Sequence, residues 1–179
     1  MNKSIRKMMG ALPVVTAFVG VMLFGSSQGW AQQKAGASAK QLVGAWTLVS
    51  LTTTRPDGTK VQTFGSDPQG LMMFDTNGRY SLQICRAGRA KFASNSRDKG
   101  TAEENQASVQ GCNPHWGKYS VSEKEREIVF QIEHAMYPNW EGAEQKRPFT
   151  IAGGELKYFV PVASTSTGGT SEVVWRRAK

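Results

Sequence analysis

The sequence predicts an all-β protein, an antiparallel up-and-down β-barrel with one short helix in a long connection. Three observations predict it: about nine short β-branched or aromatic segments, turn signals between most of them, and a single segment with helix-capping residues. The 179 residues are 39% hydrophobic and 20% charged, a balance typical of soluble globular proteins. The length leaves room for one domain after an N-terminal segment is set aside.

That N-terminal segment, residues 1–31, is predicted to be a secretory signal peptide. Three basic residues precede an apolar stretch over residues 11–24, and the small residues Gly29 and Ala31 suit cleavage. At about 1.5 Å per residue the apolar stretch is too short for a roughly 30 Å hydrocarbon core. We therefore expect an exported protein, periplasmic or secreted, without a stable membrane anchor after cleavage. Removing the three basic residues lowers the formal net charge from +8 to +5.

Residues 32–40 are rich in Gln, Ala, Ser and Lys and are interpreted as a flexible leader to a domain over residues 41–178. The densest basic stretch, residues 86–99, lacks the interleaved aromatic residues of a nucleic-acid platform. We expect a solvated loop and no nucleic-acid partner. The alternative for this stretch is an entrance that attracts an anionic ligand.

The predicted strands follow one another between turns. The segments lie at 42–53, 60–64, 71–74, 79–85, 117–121, 127–134, 147–151, 156–160 and 172–177. Asn77-Gly78 is a strong hairpin signal, and Gly153-Gly154 and the charged residues 122–126 mark two further turns. One helix interrupts the series: Thr101 is its predicted N-cap and Gly111 its end.

The strand directions predict where binding occurs. If every connection reverses the chain, the short turns at 55–58, 75–78, 122–126 and 152–154 lie at one end of the barrel. The long connections then lie at the other end, at 65–70, 87–116, 135–144 and 161–170. Long loops on a rigid scaffold are the usual place for binding, and the helix is expected to act there as a lid or plug.

Period-2 alternation predicts which side chains face the interior. Phe130 shares a face with His134, Phe149 shares one with Arg147, and Tyr80 shares one with Arg86. A further wall carries Tyr158. We therefore predict an apolar cavity with His134 and Arg147 near its mouth, and with Arg86 as a further candidate.

Each polar residue also has a simpler interpretation. His134 at a strand end is open to an ordinary solvent-exposed role, and Arg147 is open to pairing with Glu133, Glu141 or Glu144 rather than with a ligand carboxylate. The sequence does not decide between these alternatives.

The long connections carry two further features. Tyr137 and Trp140 either form a stacking surface beside the opening or pack their loop onto the rim. Cys85 and Cys112 are a candidate disulfide, with a nucleophilic cysteine as the alternative.

A set of short motifs runs through the domain in a fixed order. They lie at Leu42–Ser50, Phe64–Gly70, Asn77–Ser81, Arg89, Phe92–Ser94, Gly100–Glu104, Gly117–Tyr119, Tyr137–Gly142, Gln145–Arg147 and Val174–Arg176. Their order and spacing resemble the bacterial and fungal lipocalin-like domain family. The resemblance implies a small antiparallel barrel with an internal pocket, in a family whose members mostly lack an assigned activity.

The resemblance also implies structural roles at the barrel base. Gly44 and Trp46 resemble the Gly-x-Trp of the first lipocalin strand, on which a late arginine stacks; Arg176 or Arg177 supplies that cation here. One departure concerns the segment before Gly117: Cys112-Asn113-Pro114-His115 stands where relatives carry an aromatic run.

The predicted function is binding of a small apolar or amphipathic molecule inside the barrel. With two histidines and no Cys-x-x-Cys, His-Glu-x-x-His, Gly-x-Ser-x-Gly or Walker motif, we expect no metal and no cofactor. The binding candidates are His134, Arg147, Arg86, Tyr80, Phe130, Phe149, Tyr158, Tyr137 and Trp140. Two alternatives stay open: an isomerase or cyclase that uses His134 as acid or base, and a module that binds another envelope protein.

Overall fold

The computed structural model describes residues 37–165 and 168–179, so the predicted signal peptide and residues 32–36 of the leader lie outside the described residues. The strands are β1 (Gly44–Thr54), β2 (Lys60–Val61), β3 (Pro68–Phe74), β4 (Arg79–Arg86), β5 (His115–Ser122), β6 (Glu127–Ala135), β7 (Glu144–Ala152), β8 (Glu155–Val160) and β9 (Thr170–Arg177). The helices are α1 (Ala37–Leu42) and α2 (Ala102–Gln110), with 3₁₀ turns at Arg97–Lys99 and Pro138–Trp140. Residues 37–40 of the predicted leader thus form most of α1.

Eight of these strands close into a barrel. Each of β3 to β8 pairs antiparallel with the next strand, and β1 closes the ring by pairing with both β3 and β9. The two-residue β2 pairs only with the end of β1. Closure leaves no long unpaired sheet edge. The predicted all-β antiparallel barrel is confirmed.

The predicted helix is confirmed with its caps. The Thr101 hydroxyl accepts from the Glu104 amide while the Glu104 carboxylate accepts from the Thr101 amide, and Gly111 ends α2. This reciprocal pair satisfies backbone donors that the first helical turn leaves free.

The turn at 55–58 lies at the opposite end of the barrel from the one predicted. Gly44 pairs with Phe74, whereas Thr54 pairs with Thr170, so β1 ends beside the connection that precedes β9. The prediction was wrong because it took 60–64 as a strand that crosses the barrel, and β2 is only two residues long. Residues 55–67 therefore join the long connections at 87–114, 136–143 and the described residues 161–165 and 168–169, which together surround one open end.

A β-bulge between β5 and β6 decides which side chains face the interior. Trp116 pairs with His134, but the next residue, Gly117, pairs with Ile132, so Glu133 is an extra residue in β6. Gly117 permits this close approach, since a Cβ there would lie 2.1 Å from the Gln131 carbonyl oxygen. The bulge interrupts the alternation of β6 and turns His134 to the outer face.

We predict that Gly117→Ala lowers the free energy of unfolding by at least about 2 kcal/mol, because the added methyl group cannot fit without breaking the bulge. Urea denaturation measures the effect. Ser120→Ala, an exposed change in the same strand, is the matched control and should stay within about 0.5 kcal/mol. Equal stability of the two variants would contradict the bulged register of β5 and β6.

Packing at the short-turn end is organised around Trp46. This side chain is fully buried, and its indole Nε1 donates to the Leu42 carbonyl at 2.7 Å. The Arg177 guanidinium lies 4.2 Å from the centre of the Trp46 ring and donates to the carbonyls of Val43 and Gln41. Gly44 leaves room for this arginine, since a Cβ would lie 2.9 Å from its Nη1.

The stacking cation is therefore Arg177 and not Arg176. In β9 the two side chains point to opposite faces, and Arg176 forms an exposed ion pair with Glu155 at 2.9 Å.

We predict that Arg177→Ala costs about 1 to 3 kcal/mol of stability, from the lost cation–π contact and the two carbonyl hydrogen bonds. Arg176→Ala removes only an exposed ion pair and should cost less than about 0.5 kcal/mol. Denaturant unfolding of the two variants side by side tests the assignment, and a larger loss in the Arg176 variant would reverse it.

Candidate ligand-binding cavity

A cavity of about 490 Å³ opens at the end of the barrel where the long connections meet. Its apolar lining consists of Leu51, Phe64, Leu82, Ile84, Val109, Phe130, Met136, Tyr137, Trp140, Val160, Ala163 and Val173. Its polar lining consists of Thr53, Thr63, Gln110, Asn113, His115, Gln145, Arg147, Tyr158, Ser164, Thr165 and Ser171. A concave, mostly apolar site with a few polar groups is the usual form of a small-molecule site.

Arg147 lines this cavity from β7. The strand begins at Glu144, three residues earlier than predicted, so Arg147 lies opposite Ile128 and deeper than the rim. Its guanidinium donates to the Gln145 side-chain oxygen and to the Lys146 carbonyl. Burial lowers the pKa of Arg147, while nearby Tyr158 and Tyr80 oppose that change. An arginine stays protonated under these conditions, so the cavity wall carries a fixed positive charge.

The histidine of the cavity is His115, which sequence reasoning missed. It is 6% exposed, and its Nδ1 lies 2.8 Å from the Tyr80 hydroxyl. Burial and, secondarily, the charge of Arg147 lower the pKa of His115 to about 4. The imidazole is therefore neutral at pH 7 and does not repel the guanidinium.

The sequence contains one signal for the outward position of His134. An isolated glycine inside a strand pattern indicates a bulge or a close backbone approach, and Gly117 is such a glycine, two residues after His115. The extra residue opposite it turns His134 outward. Strand β5 itself alternates regularly, so His115 shares the inner face with Gly117, and the prediction missed His115 because it began this strand at Gly117.

Of the four aromatic residues predicted on strands, two line the cavity and two lie in the hydrophobic core. Phe130 and Tyr158 contribute to the wall, and burial raises the pKa of the Tyr158 phenol to about 12. Tyr80 and Phe149 are buried in the hydrophobic core. The Phe130 ring centre lies 4.6 Å from that of Tyr80 and 6.2 Å from that of His115, which joins the core to the polar wall.

The predictions that placed His134 and Arg86 inside the cavity were wrong. The side chain of His134 is 61% exposed and lies 3.4 Å from a Glu141 carboxylate oxygen. It packs against the Trp116 ring on the outer face of the barrel. The bulge is the physical reason. Arg86 is exposed at the end of β4, where its guanidinium donates to the Thr63 carbonyl at 2.8 Å.

The three carboxylates considered as partners of Arg147 are engaged elsewhere. Glu133 pairs with Arg79 at 2.6 Å, Glu141 contacts His134, and Glu144 lies 3.9 Å from Lys146. Within the described part of the chain, no carboxylate forms an ion pair with Arg147.

The loop at 136–143 satisfies both interpretations that the sequence left open. The Trp140 indole Nε1 donates to the Ser164 hydroxyl at 3.1 Å, and its ring meets His115 edge-on at 5.7 Å, so the loop packs onto the rim. Tyr137 packs edge-on against Trp140 and keeps 47% of its surface exposed. Both rings also line the cavity mouth.

A disulfide fixes the remaining side of the opening. Cys85 and Cys112 are joined with a Sγ–Sγ distance of 2.08 Å, and this bond attaches the segment that follows α2 to the end of β4. Val109 and Gln110 at the end of α2, and Asn113 in the segment that follows, line the cavity. The end of α2 therefore borders the opening, and its role there as a lid or plug stays a prediction.

We predict that His115 makes stability fall with acidification. The unfolded imidazole binds a proton near pH 6.5 and the native one near pH 4, so acid favours the unfolded chain across that window. Relative to a His115→Gln variant, the wild type should lose roughly 2 to 3 kcal/mol between pH 6.5 and 4. Urea unfolding at several pH values measures the difference. A His134→Gln variant keeps His115 and should lose stability on acidification as the wild type does; if it does not, the buried histidine has been misassigned.

The family sequence profile described as lipocalin-like domain matches residues 43–178. The chain therefore belongs to the lipocalin-like domain family. Among individual proteins, it is 26% identical over 105 residues to the 4'-hydroxy-3'-methoxypropiophenone carrier protein ppsC of Aspergillus oryzae, covering 54% of this chain and 95% of that protein. A solved lipocalin-like protein from Bacteroides uniformis superimposes with a TM-score of 0.41 at 16% identity, covering 76% of this chain and 98% of the other.

Two further findings apply to residues 37–165 and 168–179. No helix there has the length and apolar character needed to cross a membrane. No group of three or more metal-binding side chains comes together there.

Proposed function

We propose that this protein is an exported binding protein that holds a small apolar or amphipathic molecule inside its barrel. The observation that carries the proposal is the 490 Å³ cavity, which has a largely apolar lining and one polar wall that includes His115, Gln145 and Arg147. An apolar body gains about 25 cal/mol for each Å² removed from water, and a few polar groups fix its orientation.

The carrier function of the Aspergillus relative supports this proposal. The ligand in that protein's name is an aryl ketone with one phenol, one methoxy group and a short alkyl chain. Such a molecule is apolar over most of its surface and polar at its ends, as the cavity requires. We propose that the present chain also binds a substituted aromatic molecule of this size.

Two features support export. Residues 1–31 have the basic, apolar and small-residue order of a signal peptide. The disulfide between Cys85 and Cys112 is of a kind that persists in oxidising compartments.

Binding accounts for the site better than acid–base catalysis does. The sequence-based catalytic hypothesis used His134, which lies on the outer face. The histidine inside the cavity, His115, has a pKa of about 4, well below the neutral range in which a general base works best. The open cavity also favours binding of a small molecule over a function in which the barrel only binds another protein.

We predict that the purified domain binds 4'-hydroxy-3'-methoxypropiophenone in the cavity, as measured by isothermal titration calorimetry. Val160→Trp places an indole on the cavity wall and should weaken binding at least about tenfold through lost space. Phe159→Trp changes the preceding residue of β8, which is 41% exposed on the outer face, and should leave binding unchanged. Thermal unfolding confirms that both variants fold. Equal affinity in the two folded variants would place the ligand outside the cavity.

A further inference from the structure

Arg147 is a cation without a counter-charge among the described residues. Of those that line the cavity, it is the only one charged at pH 7, since His115 is neutral and the described lining contains no Asp or Glu. Tyr158 and Tyr80, the phenols beside it, are held in their neutral forms because burial raises their pKa values. The positive charge is therefore compensated by hydrogen-bond dipoles.

Those dipoles come from the Gln145 side-chain oxygen and the Lys146 carbonyl. A guanidinium has five N–H donors in a planar fork. Two neutral acceptors leave part of that fork unused at a half-buried site, where charge interactions are stronger than at the open surface. A half-buried, incompletely paired charge is stabilised when a partner of opposite charge binds.

The surroundings fit an anion in that place. No carboxylate among the described lining residues would repel it. The Gln145 amide and the Tyr158 hydroxyl lie on the same wall and can donate to a second oxygen. A carboxylate accepts two parallel hydrogen bonds from a guanidinium, and this charged pair is stronger than a hydrogen bond to a neutral group.

We propose that the natural ligand is an amphipathic monocarboxylate whose acid group pairs with Arg147 while its apolar body fills the cavity toward Trp140. This inference rests on the proposed function and narrows it to a ligand class. It also gives Gln145 a role as a positioning residue, since its amide holds the guanidinium at the cavity wall.

The test compares one aromatic body in charged and neutral form. Ferulic acid carries a hydroxy-methoxy-phenyl ring and is a carboxylate at pH 7, and its primary amide is nearly the same size but neutral. By calorimetry, the wild type should bind the acid at least about tenfold more tightly than the amide. In Arg147→Gln this ratio should fall to about one, mainly through loss of acid binding. Arg147→Lys should keep part of the preference, and the control Arg176→Gln should keep all of it.

A second measurement uses the wild type only, so it does not depend on how the variants fold. Besides Arg147, His115 faces Tyr80, Phe130 and Trp140. A carboxylate that neutralises Arg147 should raise the pKa of His115, followed by NMR of the imidazole nitrogens, whereas the amide should not. If the acid leaves this pKa unmoved, the anion does not lie beside Arg147 and the proposal is overturned.

The outcomes separate this inference from the proposed function. Equal binding of acid and amide by the wild type overturns the carboxylate class and leaves small-molecule binding intact. An acid preference that survives in folded Arg147→Gln overturns the role of Arg147. Failure of the acid, the amide and the propiophenone to bind overturns both proposals.

Discussion

The close approach of Gly117 to the Gln131 carbonyl is the constraint on which the site depends. Without a side chain at Gly117, β6 accommodates one extra residue, and the residues of β6 beyond it change face. His134 becomes an exposed neighbour of Glu141, while β5 keeps its regular alternation and its His115 lies buried beside Tyr80. The bulge thus leaves His115 as the histidine of the cavity wall and places His134 outside it.

The two ends of the barrel use arginine in different ways. At the short-turn end, Arg177 covers Trp46 and bonds to backbone carbonyls, so its charge lies at the surface and stabilises the base. Inside the cavity, Arg147 meets two neutral acceptors and no carboxylate within the described residues. A structural arginine is fully engaged by its own chain, whereas an arginine with unused donors in an apolar cavity is suited to a guest.

The fold was predictable because it depends on local signals. Asn77-Gly78 and Gly153-Gly154 fix hairpins, and Thr101 fixes the start of α2 through its capping box. The site was less predictable because alternation carries information only while the register is regular. It correctly placed Arg147 and Phe130 on the inner face. It failed at β2, where a strand pattern over 60–64 yields two paired residues, and at His134, beyond the bulge.

The choice between binding and catalysis follows from the same environment. The burial that protects His115 from water, together with the nearby Arg147, keeps its imidazole neutral and weakens it as a base. Those conditions strengthen an ion pair with an incoming anion, because the low polarity that disfavours a second cation favours a counter-charge. A wall that combines one permanent cation with neutral donors is therefore better suited to holding a ligand than to moving its protons.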